Sequence, residues 1–348
     1  MASAGPSVSR RTLLLTAGTA AASLTVGGAA GFALGRSGRD PLAPVEPVGA
    51  FDVRRASRLW SPTPLHDTTG PQSLAFDDTR REVYALQLAQ GGLRLSGEDG
   101  AVDAGARKRA GDLCVTRYAD SGAHLGHMYL RGFGHGISLG VEPADGAPWL
   151  WVESRADPRT GYGRALARIP FRDGVVLDSA DPSVRHLRPA PDGATHVHPA
   201  LDPAAGKVLV SYRQDGEHRY SVHRMADVRA GKSDPLRDFR VPPALKEETF
   251  QGCALHGNHV YHLTGNPYSK SSGANPRASG GNTFVTAIDV RTGNIASRGR
   301  VTTAQDLAFR EPEGIAVRTA PEPLLCIGFS VKSPGRRNLA LYGFERLP

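Results

Sequence analysis

The sequence predicts an all-β fold, a five-bladed β-propeller of four-stranded blades whose ring is closed by an N-terminal strand. Three observations predict it. Helical periodicity is scarce, Gly and Pro (41 and 26 of 348 residues) punctuate the chain at short intervals, and one strand-pair pattern recurs five times. Between the Gly and Pro residues lie runs of four to eight β-branched and aromatic residues, which is strand chemistry.

The recurring unit is a polar residue, a small or turn residue, an alternating apolar strand, a turn and a second strand. It reads Gln72-Ser-Leu-Ala-Phe to Glu82-Val-Tyr-Ala-Leu, then His135-Gly-Ile-Ser-Leu to Trp149-Leu-Trp-Val-Glu. It returns as His198-Pro-Ala-Leu to Lys207-Val-Leu-Val-Ser, Gln251-Gly-Cys-Ala-Leu to His259-Val-Tyr-His-Leu, and Glu313-Gly-Ile-Ala-Val to Leu324-Leu-Cys-Ile-Gly. The leading residues are separated by 63, 63, 53 and 62 positions. Two further strands follow in each unit, as in Leu113-Cys-Val-Thr-Arg-Tyr and His127-Met-Tyr-Leu, or Thr283-Phe-Val-Thr-Ala-Ile and Ala296-Ser-Arg-Gly-Arg-Val. Four strands per unit of ~50–60 residues is propeller arithmetic. The fifth unit lacks a fourth strand, and Phe51-Asp-Val-Arg-Arg-Ala is expected to supply it, leaving no free edge. A β-sandwich would not repeat a polar lead residue so evenly.

In a propeller the first strand of every blade lines the axis. Gln72, His135, His198, Gln251 and Glu313 are therefore expected to form one polar ring at one mouth of the channel, the default place for a ligand.

Four stretches carry a resemblance. They are Leu130-Arg-Gly-Phe-Gly-His-Gly-Ile-Ser-Leu-Gly-Val-Glu, Gly161-Tyr-Gly-Arg-Ala-Leu-Ala-Arg, Thr249-Phe-Gln-Gly-Cys-Ala-Leu-His-Gly-Asn and Arg310-Glu-Pro-Glu-Gly-Ile-Ala-Val. In order over residues 66–346 the sequence resembles the teichoic-acid-biosynthesis-protein-C-like family, which shares its propeller with the head domain of some staphylococcal phage receptor-binding proteins. The resemblance implies five blades and a wall-polymer or surface-glycan context. It brings no catalytic set with it.

The segment before the propeller reads as an address. Ser9-Arg10-Arg11-Thr12 precedes an uncharged stretch to about Leu34, rich in Ala, Gly and Thr, which is the pattern of a twin-arginine export signal. We place the signal peptide at 1–35, with small residues for cleavage at Gly28-Ala29-Ala30, a Pro-rich linker at 36–50 and the propeller at 51–348. The leader holds no cysteine for lipid attachment, so a membrane association would rest on an uncleaved leader. The expected location is extracellular or cell-wall associated.

The net charge of +8 is spread without a basic run interleaved with aromatics, so no nucleic-acid partner is expected. Such a surface suits extracellular polyanions, teichoic acid or acidic polysaccharide. Cys114, Cys253 and Cys326 sit in apolar strand contexts and read as buried small hydrophobes, with a Cys253–Cys326 bridge as the alternative.

Several residues could carry chemistry. Gly136-Ile-Ser138-Leu-Gly140 matches a nucleophile-elbow pattern but lies in a strand rather than a strand–turn–helix elbow, so we read it as coincidence. His196 and His198, two apart on a strand, could join His135 in a three-nitrogen site for a divalent metal. We read His198 instead as channel-lining and His196 as a hydrogen-bonding loop residue, with no cofactor required. Glu153, Glu311 and Glu313 are candidate carboxylates for glycoside hydrolysis. Tyr212 with Arg213, or Arg155 with Tyr162, would suit a polysaccharide lyase. The same arginines, tyrosines and histidines would equally hold a sugar or phosphate. Tyr268, in the Gly/Ser/Asn loop 266–282, is a candidate lid. The expected function is recognition of a glycan or wall polymer at the channel mouth by Gln72, His135, Arg155, His196, His198, Arg213, Gln251, Tyr268 and Glu313. The alternative is a lyase or glycosidase in the same pocket. A protein-interaction scaffold would advertise a broad apolar patch, which is not apparent.

Overall fold

The computed structural model describes residues 50–269 and 273–347, so the leader and nearly all of the linker lie outside the described residues. The strands fall into five sheets, one per blade. After β1 (Phe51–Pro64), blade 1 holds β2 (Pro71–Asp77), β3 (Glu82–Leu88), β4 (Leu113–Ala119) and β5 (His124–Arg131). Blade 2 holds β6 (Gly140–Glu142), β7 (Trp149–Ala156), β8 (Gly163–Pro170) and β10 (His186–Leu187), while β9 (Val176–Asp178) crosses back to pair in parallel with β5. Blade 3 is β11 (Thr195–Asp202), β12 (Lys207–Gln214), β13 (Glu217–Arg224) and β14 (Arg237–Arg240). Blade 4 is β15 (Phe250–His256), β16 (His259–Thr264), β17 (Phe284–Asp289) and β18 (Ile295–Arg300). Blade 5 is β19 (Glu311–Arg318), β20 (Leu324–Ser333) and β21 (Arg336–Arg346), and β1 is its fourth strand.

The ring closes as the sequence requires. β1 runs antiparallel to β21 from Phe51 opposite Arg346 to Pro64 opposite Asn338, covering what would be an unpaired edge. The first strands β2, β6, β11, β15 and β19 touch in that cyclic order, with β19 returning to β2. Side chains stitch them together: Ser73 Oγ donates to the Gly136 carbonyl at 2.6 Å and Ser138 Oγ to the Cys253 carbonyl at 3.3 Å. The axis is crowded with backbone. A Cβ at Gly314, whose φ is +94°, would stand 2.7 Å from Ser73 Cα.

Apolar residues occupy both faces of each blade because both faces are covered by neighbours. On β12, Val208, Val210 and Tyr212 pack in the cluster shared with blade 2, while Leu209 packs in the cluster shared with blade 4. The period-2 alternation of a strand thus divides its side chains between two interfaces. Each of the five blade–blade contacts has its own core, and the closing strand contributes to two of them through Phe51 and Trp60. Cys253 and Cys326 belong to different cores and all three cysteines are free, so the bridge alternative does not hold.

Two local features differ from the sequence expectation. Ser138 lies in a loop before the three-residue β6, not within a strand, and it is buried against the Cys253 carbonyl. Blade 1 carries an insertion between β3 and β4 with helix α1 (Ala104–Ala110), pinned by buried Arg107 between Glu98 and Asp112. The second short helix, α2 (Met225–Arg229), follows β13. No helix among the described residues is long and apolar enough to cross a membrane.

Phe51 is fully buried and meets the Tyr261 ring edge-on at 5.3 Å, joining the closing strand to blade 4. Phe51→Ala is expected to cost about 3–5 kcal/mol, read as a fall in the urea midpoint of the folded domain with the transition still cooperative.

Candidate functional site

The five lead residues sit near the N-terminal ends of the first strands, from His135, five residues before β6, to His198, the fourth residue of β11. In four blades this point carries a one-residue register shift. It falls between Pro71 and Ser73, Thr195 and His198, Phe250 and Gly252, and Pro312 and Ile315. An inserted residue breaks the alternation and re-aims a side chain, which is why a polar residue tolerates the innermost position. The side chains are not an open ring, however. All five are at most 6% exposed. Gln72 Nε2 donates to the Pro71 carbonyl at 2.9 Å and approaches Glu313 Oε2 at 3.5 Å, and Gln251 Nε2 donates to the Gly265 carbonyl at 3.0 Å. None of the five lines the cavities of 520, 650 and 520 Å³ found elsewhere on the ring. The expected wet mouth is therefore corrected: the five groups are buried, and Gln72, His198 and Gln251 bond to the chain itself.

Glu153 explains the arrangement on the blade 2 and 3 side. Trp151 on β7 faces blade 3, so Glu153, two residues on, faces it too. Its Oε1 accepts from Gly136 N (2.8 Å) and His198 Nδ1 (2.7 Å), and its Oε2 from His135 N (3.0 Å) and Gly163 N (2.8 Å). Gly163 is needed for this approach, since a Cβ there would lie 2.7 Å from Glu153 Cβ. Burial alone would raise the Glu153 pKa, but the His198 imidazole and the backbone donors overcome it and hold the carboxyl at about 2. A sealed carboxylate with four donors is a structural anchor. It has no free lone pair or solvent path for acid–base work, so its place among the catalytic candidates is withdrawn.

Above this anchor, three rings stack. Tyr162 lies between His135 (centroids 4.5 Å, planes 18° apart) and His196 (3.9 Å, 23°), with His198 edge-on at 6.2 Å. The interposed Tyr162 and the commitment of His198 to Glu153 keep the three imidazoles from converging on an ion, which corrects the His135/His196/His198 metal alternative. Burial first, then His198 and Arg213, pull the His196 pKa down to about 4. It is a neutral hydrogen-bonding group at physiological pH.

Separately, a 650 Å³ groove is lined by Arg155, Arg164, Ser179, His186, Arg188 and Asp192 among others, without any of the three stacked rings in its wall. Arg164 is paired to Asp157, but Arg155 and Arg188 have no ion-pair partner among the described residues. His186 Nδ1 lies 3.0 Å from Ser154 Oγ, and burial, then Arg155, lower its pKa. Two non-glycine residues here, Arg155 (φ +58°) and His196 (φ +55°), hold left-handed backbone, a strain of about 1–3 kcal/mol that clusters at sites of function. The sequence picked out Arg155 and His196; it missed Arg164, His186 and Arg188, which only the fold brings together.

The remaining candidates separate. Tyr212 is buried, donates to Asp238 and accepts from Arg219 Nε at 3.3 Å, and burial followed by Asp238 pushes its pKa up to about 12. Strand alternation points it away from its neighbour Arg213, so the Tyr212/Arg213 lyase pair is corrected. Arg213 itself is exposed, opposite Thr195 on β11, on the His196 side. Tyr268 is docked rather than free: its N donates to the Phe309 carbonyl at 2.7 Å and its ring lies under Arg310 at 5.5 Å. Glu311 is half-buried at the start of β19, where Arg337 faces it and Glu313. The axial cavity of 520 Å³ lies at the opposite mouth, and its wall mixes apolar residues such as Leu139, Val141 and Ile315 with Asp78, Glu142 and Arg229.

The Glu153 pKa of about 2, against an ordinary 4.5, gives a signed pH dependence. The carboxylate stabilises the fold fully above about pH 4.5 and loses that contribution as pH falls towards 2, roughly 3 kcal/mol in all. Urea unfolding at stepped pH is expected to show this acid loss in the parent. Glu153→Gln should be destabilised by about 3 kcal/mol at pH 7 and should lack that part of the acid dependence.

Residues 71–343 match the model of the phage 5-bladed beta propeller receptor binding platform domain. A Bacillus subtilis (strain 168) protein named for teichoic acid biosynthesis (major teichoic acid biosynthesis protein C) is 26% identical over 301 residues, 83% of this chain and 62% of that one. The tail fiber of Staphylococcus aureus phage P68 superimposes with a TM-score of 0.61 at 19% identity, over 84% of this chain and 53% of the fiber. The chain thus spans less than two thirds of the length of either relative. With the family model spanning all five blades, the chain belongs to the phage five-bladed β-propeller receptor-binding platform family.

Proposed function

We propose that this chain recognises an anionic cell-wall polymer of the teichoic acid class, and that it does so outside the cytoplasm after export on its twin-arginine leader. The observation that carries the proposal is the groove of Arg155, Arg164, His186 and Arg188, in which Arg155 and Arg188 make no ion pair among the described residues. A phosphodiester chain supplies repeated anions for guanidinium groups, which bind such oxygens in a planar, two-pronged geometry. Neutral His186, in the groove wall, would meet the polyol or sugar hydroxyls between the phosphates, with His196 two residues beyond the wall residue Ala194. The family's name, and that of the Bacillus relative, support a surface-polymer context. The burial of Glu153 and Tyr212 removes two of the groups that a hydrolase or lyase at this place would have used, which favours holding over cleaving.

Calorimetric titration with purified wall teichoic acid tests the proposal. Arg155→Ala with Arg188→Ala is expected to weaken binding at least about tenfold, with the difference shrinking as salt screens the charges. His196→Ala should weaken it less. Neutral dextran should bind neither protein. Undiminished affinity in the double variant would overturn the assignment of the groove, and new chain ends in the recovered polymer would replace recognition with turnover.

A further inference from the structure

A second histidine cluster lies on the flank of blade 1, away from the stack and the groove. His66 is in the connector between the closing strand β1 and β2, and His124 and His127 are on β5. Residues three apart on a regular strand point to opposite faces. Here Arg117 pairs with Gly126 but Tyr118 pairs with His124, so Leu125 is an inserted residue. The bulge returns His124 and His127 to one face, leaving Leu125 itself 41% exposed.

The three imidazoles offer ligand atoms that all lie within 4.8 Å of one another, the one group of three such residues found among the described residues. The His66 and His127 rings are stacked with centroids 3.4 Å apart and planes 10° apart, and His124 stacks on His66 at 5.7 Å. Protonated imidazoles would repel at that separation. The backbone behind them is fixed. His66 N donates to Thr116 Oγ1 at 3.2 Å, and His127 N donates to Asp173 Oδ1 at 2.8 Å. Asp67 and Asp173 add negative charge around the cluster, and Asp67 is held by Tyr129 Oη at 2.7 Å.

We propose that His66, His124 and His127 bind one divalent transition-metal ion of the zinc type, which staples the end of the ring-closing strand to blade 1. Three imidazole nitrogens and a water make a four-coordinate site, and imidazole selects zinc, copper or nickel over calcium or magnesium. Bonds of about 2.0–2.1 Å set nitrogens about 3.3 Å apart in a tetrahedron. Closing from 4.8 Å requires the stacked His66 and His127 rings to turn out of parallel so that their nitrogens converge, and His66 and His124 are exposed. The ion would bridge β5 to the six-residue connector between Pro64 and Pro71, which follows the β1 strand that pairs with β21 to close the ring. Binding only to the closed ring, it would stabilise closure by mass action.

The test uses the full-length chain stripped with chelator and titrated with zinc chloride, against a chromogenic competitor, together with thermal melts. One equivalent should bind and Tm should rise by several degrees at saturation. His66→Ala and the double variant His124→Ala/His127→Ala should lose both effects while still unfolding cooperatively. No saturable zinc in the parent would overturn the site. So would zinc binding that survives in both variants, or binding lost in His196→Ala and kept in the double variant. Teichoic acid binding by the double variant should equal that of the parent, so failure here and failure of the groove assignment are read separately.

Discussion

The platform side of this ring depends on one buried carboxylate. Glu153 has no contact with water, and an ionised carboxylate in such a place costs several kcal/mol unless its lone pairs are filled. Its four donors come from the loop before β6, the start of β8 and the first strand of the next blade. Satisfying the charge therefore fixes three segments at once. It locks the His135–Gly136 backbone, draws the β7–β8 turn inward and orients His198. The stack of His135, Tyr162 and His196 follows, since two of its three rings flank donors of Glu153 in sequence.

Around that anchor, rigidity comes from division of labour within each strand. Odd and even residues enter different interfaces, so every blade has two cores and no face left for water. A ring built this way has no weak edge except the seam, and there β1 pairs along its length with β21 and inserts Phe51 and Trp60 into two separate cores. A stiff ring can hold strained backbone at its rim. Arg155 and His196 keep left-handed φ values in ordered segments because the strands beneath them are not free to relax.

The repeat made the fold legible. Five polar leads at nearly constant spacing identify the blades, and the seam follows from counting strands. The site was less legible, for a local reason. A polar residue at the start of an inner strand looks the same in sequence whether it faces solvent or folds back onto chain, and the register shifts that decide this leave no mark beyond a following small residue. Glu153 could be seen as a carboxylate near the axis, but not that Gly163, far along a turn, would seal it. Tyr212 and Arg213 are adjacent in sequence and for that reason point apart. Arg155 was visible because it ends a strand near the expected mouth. Arg164, His186 and Arg188 were not, because the groove exists only once the outer strands of blade 2 meet the loop leading into blade 3. His124 and His127 had the wrong spacing for one face of a strand until Leu125 bulged.

The crowding of the axis also explains where a ligand can sit. Five first strands around one line leave room for backbone and small side chains, as the 2.7 Å that a Gly314 Cβ would have to Ser73 makes plain. The lead residues at that mouth are buried, and Gln72, His198 and Gln251 are already bonded to the chain. Between the blade 2 edge and the β10–β11 loop, a 650 Å³ groove carries Arg155 and Arg188, which make no ion pair among the described residues. This groove follows the outer strands of blade 2 rather than the axis. That geometry suits a long chain passing over the ring rather than a chain end entering it, and a polymer held by repeated phosphates needs no end to be recognised.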